Sequence, residues 1–153
     1  MKKFFVATVI FFIAFQPIAL GATSTNPAPA KPACRVDMNN SHISSRLLKK
    51  LQTVAVKANA KVICDKTIEN LIVHINLYKS GTFGPILLKK FTSRTYLNVA
   101  ANKQIKISGP IFVCLNWKPT EFFSTVSSDA IIGGEKMRAP WRRSYRIRIE
   151  CGN

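Results

Sequence analysis

The chain has 153 residues, of which 23 are Lys or Arg and 7 are Asp or Glu, so its formal net charge is +16. This length is enough for one domain with a hydrophobic core and excludes two such domains. The positive charge favours anionic surroundings, such as phospholipid headgroups, cell-wall polymers or nucleic acid, but it does not choose among them.

The N-terminal segment has the pattern of a secretory signal peptide. Lys2 and Lys3 form a positively charged start, an apolar run covers 4–15, and a small-residue cleavage pattern lies at 19–21. The apolar run is too short to span a bilayer, and no second long apolar run follows it. We therefore predict a signal peptide at 1–21, no integral membrane span in the mature chain, and a protein that is secreted, either extracellular or associated with the cell surface.

Residues 22–33, with the sequence ATSTNPAPAKPA, are rich in Pro, Ala and small polar residues and contain no large apolar side chain. This composition is typical of an extended linker. We therefore predict that the segment connects the cleavage point to a single folded domain over 34–153. Cleavage removes two lysines, which lowers the formal net charge from +16 to +14.

Four cysteines lie in the predicted mature chain, at Cys34, Cys64, Cys114 and Cys151. Because export leads to an oxidising compartment, we expect two structural disulfides. Three connectivities are possible, and the closure of smaller loops favours Cys34–Cys64 with Cys114–Cys151. The spacings do not resemble a zinc site, since paired ligands on a tight turn are missing. No Gly-rich phosphate loop precedes a helix, so the sequence predicts neither a metal nor a cofactor.

The first part of the domain combines short strands with one helical turn. A strand is predicted over 35–38, and Ser44 or Ser45 can cap a short helix that ends near Leu51. The helix is basic and amphipathic, but it has only about two turns, so a solvated face over the core is favoured over a membrane contact. Alternating residues then predict a strand over 53–64.

The clearest strand pattern follows Cys64 and ends in a turn at Ser80 and Gly81. One face of this strand carries Leu71, Val73, Ile75 and Leu77, and the other carries Ile72, His74, Asn76 and Tyr78. A period of two is typical of an antiparallel strand with one buried face. The segment is therefore predicted to be the central core strand.

Short strands are predicted to fill the middle of the chain. A strand over 86–91 is expected to turn Leu87 and Phe91 inward. Further strands are predicted over 96–100, 103–107 and 111–117. Gly109 and Pro110 are expected to break the chain between the last two, and the turn residues over 118–120 to reverse it.

The C-terminal part begins with a predicted strand over 122–132, which Gly133 and Gly134 end. Residues 135–143 are predicted to form a basic loop. The last strand, over 144–151, alternates between charged residues and a packed face that includes Tyr145.

These elements predict an all-β fold with seven to eight short strands. An immunoglobulin-like antiparallel β-sandwich, held by two disulfides and with room for one short helix, is the favoured architecture. A small closed barrel is the alternative.

Several short motifs share an order along the chain: Cys34-Arg-Val-Asp37, Ser41-His42, Leu71-x-Val-x-Ile-x-Leu77-Tyr78-Lys79-x-Gly81, Cys114 in an aromatic setting and a terminal strand over 144–151. This order resembles that of a group of small secreted four-cysteine actinobacterial proteins of uncharacterised function. The resemblance implies a secreted, disulfide-bonded domain and carries no activity with it. Lys79 stands where that group commonly has arginine, and 44–53 resembles an insertion.

Two histidines give the sequence one route to catalysis. A secreted basic protein with His42 and His74 invites comparison with a ribonuclease, which needs two proton-transfer groups around a phosphate. His74 is predicted on the outer face of its strand and His42 in a loop, and nothing in the sequence brings them together. No nucleophile motif or carboxylate pair is recognisable. We therefore predict a non-enzymatic protein, with a small secreted hydrolase or toxin, such as a nuclease using both histidines, as the alternative.

The most concentrated positive charge lies near the C-terminus. The candidate binding residues are Arg138, Trp141, Arg142, Arg143, Arg146 and Arg148. Guanidinium groups bind phosphate or carboxylate with two parallel hydrogen bonds, and a tryptophan can stack on a base or sugar. We therefore predict a monomer that binds an anionic partner here, whether a cell-surface polymer, a lipid headgroup or another macromolecule.

Overall fold

A computed structural model describes residues 33–152 of the chain. The predicted signal peptide and all of the predicted linker except residue 33 lie outside the described residues. Ten β-strands and one α-helix make up the described part, and every strand pair in it is antiparallel. Within that part, no helix is both long and apolar enough to cross a membrane.

The strands form two sheets. In chain order the elements are β1 (Cys34–Met38), β2 (His42–Ile43), α1 (Ser45–Leu51), β3 (Ala55–Cys64), β4 (Ile68–Gly81), β5 (Gly84–Thr92), β6 (Tyr96–Val99), β7 (Ile105–Val113), β8 (Asn116–Ile132), β9 (Glu135–Arg143) and β10 (Ile147–Gly152). The first sheet pairs β1, β2 and β7 with β3, and the second has the order β10-β8-β4-β5, with β6 on β4 and β9 on β8. This order is that of an immunoglobulin-like sandwich, so the predicted all-β fold is confirmed.

One hydrophobic core lies between the two sheets. The inner face of β4 is fully buried through Leu71, Val73, Ile75 and Leu77, the four residues predicted from the sequence. Alternate residues of β3 meet them from the first sheet. Burial of each large apolar side chain contributes about 1.5–3 kcal/mol to the stability of the fold. The face of β4 that carries these four residues is therefore the one that turns toward the core.

Two disulfides hold the sandwich at different places. Cys34 pairs with Cys64 directly across β1 and β3. Cys114 pairs with Cys151 and joins the β7–β8 connection to β10 of the second sheet. This is the connectivity favoured from loop size.

Two predicted chain breaks are wrong. β7 continues through Gly109 and Pro110 because the register with β3 shifts there, and a side chain at Gly109 would meet the carbonyl oxygen of Ala58. β8 likewise continues through Pro119, which lies opposite Glu150 of β10. Among the described strands, only β10 pairs with that part of β8, and none lies on its other side. The N–H that proline lacks therefore leaves no hydrogen bond unmade there.

The predicted basic loop over 135–143 is also wrong, because this segment is β9. Gly133 and Gly134 both have positive φ, 59° and 78°, and form a two-residue hairpin turn between β8 and β9. The structure therefore has more strands than the seven to eight predicted, and the predicted binding residues of this segment lie on a strand.

Two side chains predicted to face inward are exposed. A register shift between Leu77 and Tyr78 turns Leu88 of β5 toward the core and leaves Leu87 outside. Tyr145 is exposed because β10 begins three residues later than predicted, at Ile147, so Tyr145 precedes the strand.

Ser93 and Ser144 interrupt the two edges of the second sheet in the same way. The N–H of Ser93 donates to the carbonyl of Val73 at 2.8 Å, and its hydroxyl accepts from the N–H of Val73 at 3.0 Å. Ser144 makes the same two bonds with Ser124, at 2.9 and 3.0 Å. Ser93 lies between β5 and β6, which both pair with β4, and Ser144 lies between β9 and β10, which both pair with β8. The break at Ser144 brings the arginine-bearing ends of β9 and β10 together.

Candidate functional site

The outer face of the second sheet collects side chains from neighbouring strands. On β4 the outward residues alternate with core residues, and the register aligns Tyr78 with Phe123 and Ile72 with Asp129 of β8. β9 and β10 add arginines along the edge. We define the basic face as the outward side chains of β4 and β8 together with Arg138, Arg143, Arg146 and Arg148.

Phe123 is the centre of the basic face. Its neighbour Phe122 packs in the core, so Phe123 faces outward, yet only 3% of it is exposed. The ring stacks on Tyr78, with centroids 5.0 Å apart and planes 5° from parallel. The guanidinium carbons of Arg143 and Arg146 lie 3.8 and 5.7 Å from the Phe123 centroid. Phe123 is therefore covered by its arginine and tyrosine neighbours.

A polar group crosses four strands, β5, β4, β8 and β9, on another part of this face. Asp129 Oδ2 lies 3.0 Å from His74 Nε2, and Asp129 Oδ1 accepts a 2.6 Å hydrogen bond from Arg138 Nε. Thr92 Oγ1 lies 3.2 Å from His74 Nδ1. The hydrogen bond from Arg138 lowers the pKa of Asp129, an effect that burial opposes and the hydrogen bond with His74 reinforces. Asp129 is therefore a carboxylate that balances the charge of Arg138.

Carboxylates do not balance all the arginines of the basic face. Asp129 pairs with one of them, and Glu121 Oε2 lies 3.8 Å from Arg146 Nη1. In the part of the chain that the structure describes, Arg143 and Arg148 have no carboxylate within 4.0 Å. The face therefore keeps a surplus of positive charge that is available to an anion.

Trp141 and Arg142 lie in an irregular part of β9. The register of β9 with β8 shifts between Val126 and Ser128, so β9 has an extra residue there. Arg142 is paired with Val126, whose side chain is fully buried, so Arg142 leaves the strand on the face opposite to Arg143. Trp141 is 53% exposed. Four of the five predicted arginines therefore share the basic face, and Arg142 does not.

The structure does not bring the two histidines together. His42 lies opposite Lys57 on the outer face of the first sheet, where its Nε2 is 3.4 Å from Asn59 Nδ2. His74 lies on the outer face of the second sheet, and the hydrophobic core separates the two faces. This arrangement does not supply two proton-transfer groups around one phosphate.

An open groove of about 710 Å³ borders the polar group of Asp129. Its apolar walls include Ile72, Ile131 and Met137, and Lys136 and Arg138 line its β9 side. The groove is thus a depression in the basic face with cations along one border.

Several residues of this site were missed by sequence reasoning. Phe123 and Asp129 both fall within the predicted strand over 122–132, but the sequence pattern does not identify either as a site residue. The alternation of β8 around Phe122 could have placed Phe123 outward, but its partners come from β4, from β9 and from the connection between β9 and β10. Among the described residues, no group of three or more His, Cys, Asp or Glu side chains is arranged to hold a metal ion.

No protein-family model matches the chain, and no curated protein matches it. Among solved structures, the chain is similar to the solution structure of R. palustris CsgH, with a TM-score of 0.40 and 8% sequence identity. The match covers 69% of this chain and 87% of that chain. What the protein does must therefore be inferred from its own residues.

Proposed function

We propose that this protein is a secreted, non-enzymatic, monomeric domain that binds an extended anionic macromolecule through the basic face. The observation that supports this proposal is the pair of guanidinium groups, of Arg143 and Arg146, that lie over the ring of Phe123. Arg148 extends the positive charge along β10, opposite Glu121 of β8. These groups lie on an open sheet surface, which suits a polymer better than an enclosed small molecule.

A guanidinium that lies over an aromatic ring is oriented before it meets a ligand. The ring contributes about 0.5–1 kcal/mol at an exposed site and restricts the rotamers of the arginine. Less conformational entropy is then lost when the N–H groups bind phosphate or carboxylate oxygens. The arrangement of Arg143, Phe123 and Tyr78 therefore favours anion binding over a merely solvated surface.

The proposed location outside the cell is supported by three features. The N-terminal sequence has the signal-peptide pattern, and the motifs over 34–151 resemble those of secreted four-cysteine actinobacterial proteins. All four cysteines form disulfides, which persist in oxidising compartments. A secreted basic domain meets anionic polymers at cell surfaces, which fits the proposed ligand class.

The proposal is tested with two quadruple variants of equal charge. The first replaces the four arginines of the basic face, Arg138, Arg143, Arg146 and Arg148, with Gln. The control replaces Lys61, Lys66, Lys103 and Lys106, on the first sheet and its adjoining loops, with Gln. Binding of each protein to inorganic polyphosphate and to a heparin fragment is measured at several salt concentrations.

The arginine variant is expected to lose at least about tenfold in affinity for one of these polyanions and to show a weaker salt dependence. The lysine control is expected to lose much less. Equal losses in the two variants, or binding of neither polyanion by the unmodified protein, contradict the proposal.

A further inference from the structure

Exposed apolar residues lie at one end of the sandwich, beyond the Tyr78–Phe123 pair of the basic face. β4 ends at Gly81, and β8 runs antiparallel to it and begins at Asn116, so the β4–β5 hairpin and the start of β8 lie at the same end. The β7–β8 connection also meets the start of β3 there, because the N–H of Cys114 donates to the carbonyl of Val54 at 2.9 Å. We define the apolar end by Leu51, Phe83, Leu115 and Trp117.

The side chains of the apolar end are open to solvent. Leu51, Leu115 and Trp117 are 65%, 77% and 67% exposed, and Phe83 at the hairpin tip is fully exposed. Single exposed apolar residues are ordinary on a protein surface, whereas a group of large ones at one place marks an interaction site. Leu48 of α1 is also exposed, so it adds apolar surface next to Leu51.

The segment that carries Leu115 and Trp117, which is the β7–β8 connection and the start of β8, is held in place. The disulfide between Cys114 and Cys151 fixes its first residue to β10. The N–H of Leu115 donates to the carbonyl of Gly152 at 2.8 Å, and Asn116 Oδ1 accepts from the N–H of Lys118 at 3.0 Å. A disulfide and two hydrogen bonds therefore fix the backbone that carries the exposed leucine and tryptophan.

The charged residues that lie near the apolar end in sequence are all positive. No Asp or Glu occurs between Asp37 and Asp65 or between Glu69 and Glu121, and all four residues of the apolar end fall in these two segments. The exposed lysines Lys49, Lys50 and Lys118 adjoin it in sequence. The closest carboxylate in the strand register is that of Glu150, opposite Pro119.

We propose that the apolar end docks onto the surface of an anionic lipid bilayer. Leu and Phe side chains enter the boundary between headgroups and acyl chains, Trp prefers the same interface, and Lys side chains attract anionic headgroups. The complementary charge of the lysines favours this occupant over a protein partner, because protein interfaces are depleted of Lys. The helix alone is too short to anchor the protein, so the three separate pieces of chain act together.

The test uses the exported protein with vesicles of phosphatidylcholine alone or mixed with phosphatidylglycerol. The variant L115S/W117S removes exposed side chains only, and L97S on β6 is the control, since Leu97 is exposed to a similar extent and β6 pairs with the start of β4. The unmodified protein and L97S are expected to co-sediment with the anionic vesicles. The variant L115S/W117S is expected to bind them at least about tenfold more weakly.

A fluorescence measurement locates the contact. The chain has two tryptophans, so the variant W141F leaves Trp117 as the single one. Its emission is expected to shift to shorter wavelength on anionic vesicles and to be quenched by brominated acyl chains. Vesicle binding without this shift, equal binding by L115S/W117S and the unmodified protein, or a change in oligomeric state in place of vesicle binding overturns the proposal.

The two proposals are separable. Replacement of the arginines of the basic face can weaken long-range attraction to anionic vesicles, but quenching of Trp117 by brominated lipid is expected to persist at low salt. If the arginine variant loses this quenching while L115S/W117S retains vesicle binding, the apolar end is not the docking site.

Discussion

The guanidinium carbon of Arg143 lies 3.8 Å from the ring centroid of Phe123, and this contact joins the edge strand β9 to the centre of the second sheet. Phe123 faces away from the core, so without its arginine neighbours a large aromatic ring would be open to solvent. The contact therefore combines two effects, burial of apolar surface and orientation of a cation.

Replacing Phe123 with Leu tests these two effects together. The variant keeps an apolar side chain but removes the aromatic face, so we expect the free energy of unfolding to fall by about 0.5–1.5 kcal/mol. Affinity for polyphosphate should fall several-fold because the arginines lose their orientation. Urea unfolding and a binding titration measure the two effects. Tyr145→Leu is the control, since Tyr145 is exposed; an equal effect there contradicts the role of Phe123.

We expect Asp129 to contribute to the stability of the fold in a way that depends on pH. Its pKa is lowered in the folded protein, chiefly by the hydrogen bond from Arg138, so its carboxylate stabilises the fold at pH values above the unfolded pKa. The contribution is lost as pH falls through the lower folded pKa. Because the pair is largely exposed, Asp129→Asn should cost less than about 1 kcal/mol at neutral pH.

Unfolding by urea at several pH values measures this dependence. The difference between the unmodified protein and Asp129→Asn should shrink below about pH 4. The variant Glu135→Gln, in which an exposed carboxylate at the β8–β9 hairpin is removed, serves as the control. A difference that stays constant into acid shows that Asp129 acts through packing alone.

The close packing around Gly109 predicts that one added methyl group lowers the stability of the fold. A Cβ there would lie 2.5 Å from the carbonyl oxygen of Ala58 and 2.9 Å from Cδ1 of Ile75, so β3 or the core must move. Gly109→Ala should therefore destabilise the fold by about 1–3 kcal/mol, read from thermal or urea unfolding. Ser108→Ala changes an exposed neighbour and should have little effect. Equal stability of the two variants shows that β7 can shift freely.

The separation of the histidines predicts no histidine-dependent hydrolysis of RNA. His42 and His74 lie on outer faces of different sheets, so they cannot act on one phosphate within one molecule. RNA incubated with the unmodified protein should be cleaved no faster than with His42→Ala or His74→Ala. Cleavage that either substitution abolishes revives the nuclease alternative.

The sequence by itself determined those features that depend on local periodicity. The alternation of Leu71, Val73, Ile75 and Leu77 identified β4 and its buried face, since successive side chains of a strand point to opposite sides. The helix before Leu51 and the two disulfide-bonded pairs also followed from local pattern and loop length. Each of these needs information only from residues near in the chain or from the small number of possible pairings.

Only the tertiary structure decided which side chains of different strands meet on the outer faces. The bulge that turns Leu88 inward and the bulge of β9 between Ala139 and Arg142 arise from the register with a neighbouring strand, which local sequence does not specify. Phe123 obtains its cover from strands up to 45 residues away in the chain, starting at Tyr78. The alternation of apolar and polar residues in the sequence distinguishes a buried face from a solvent-exposed one. The contacts on a solvent-exposed face depend on which strands pair and in which register.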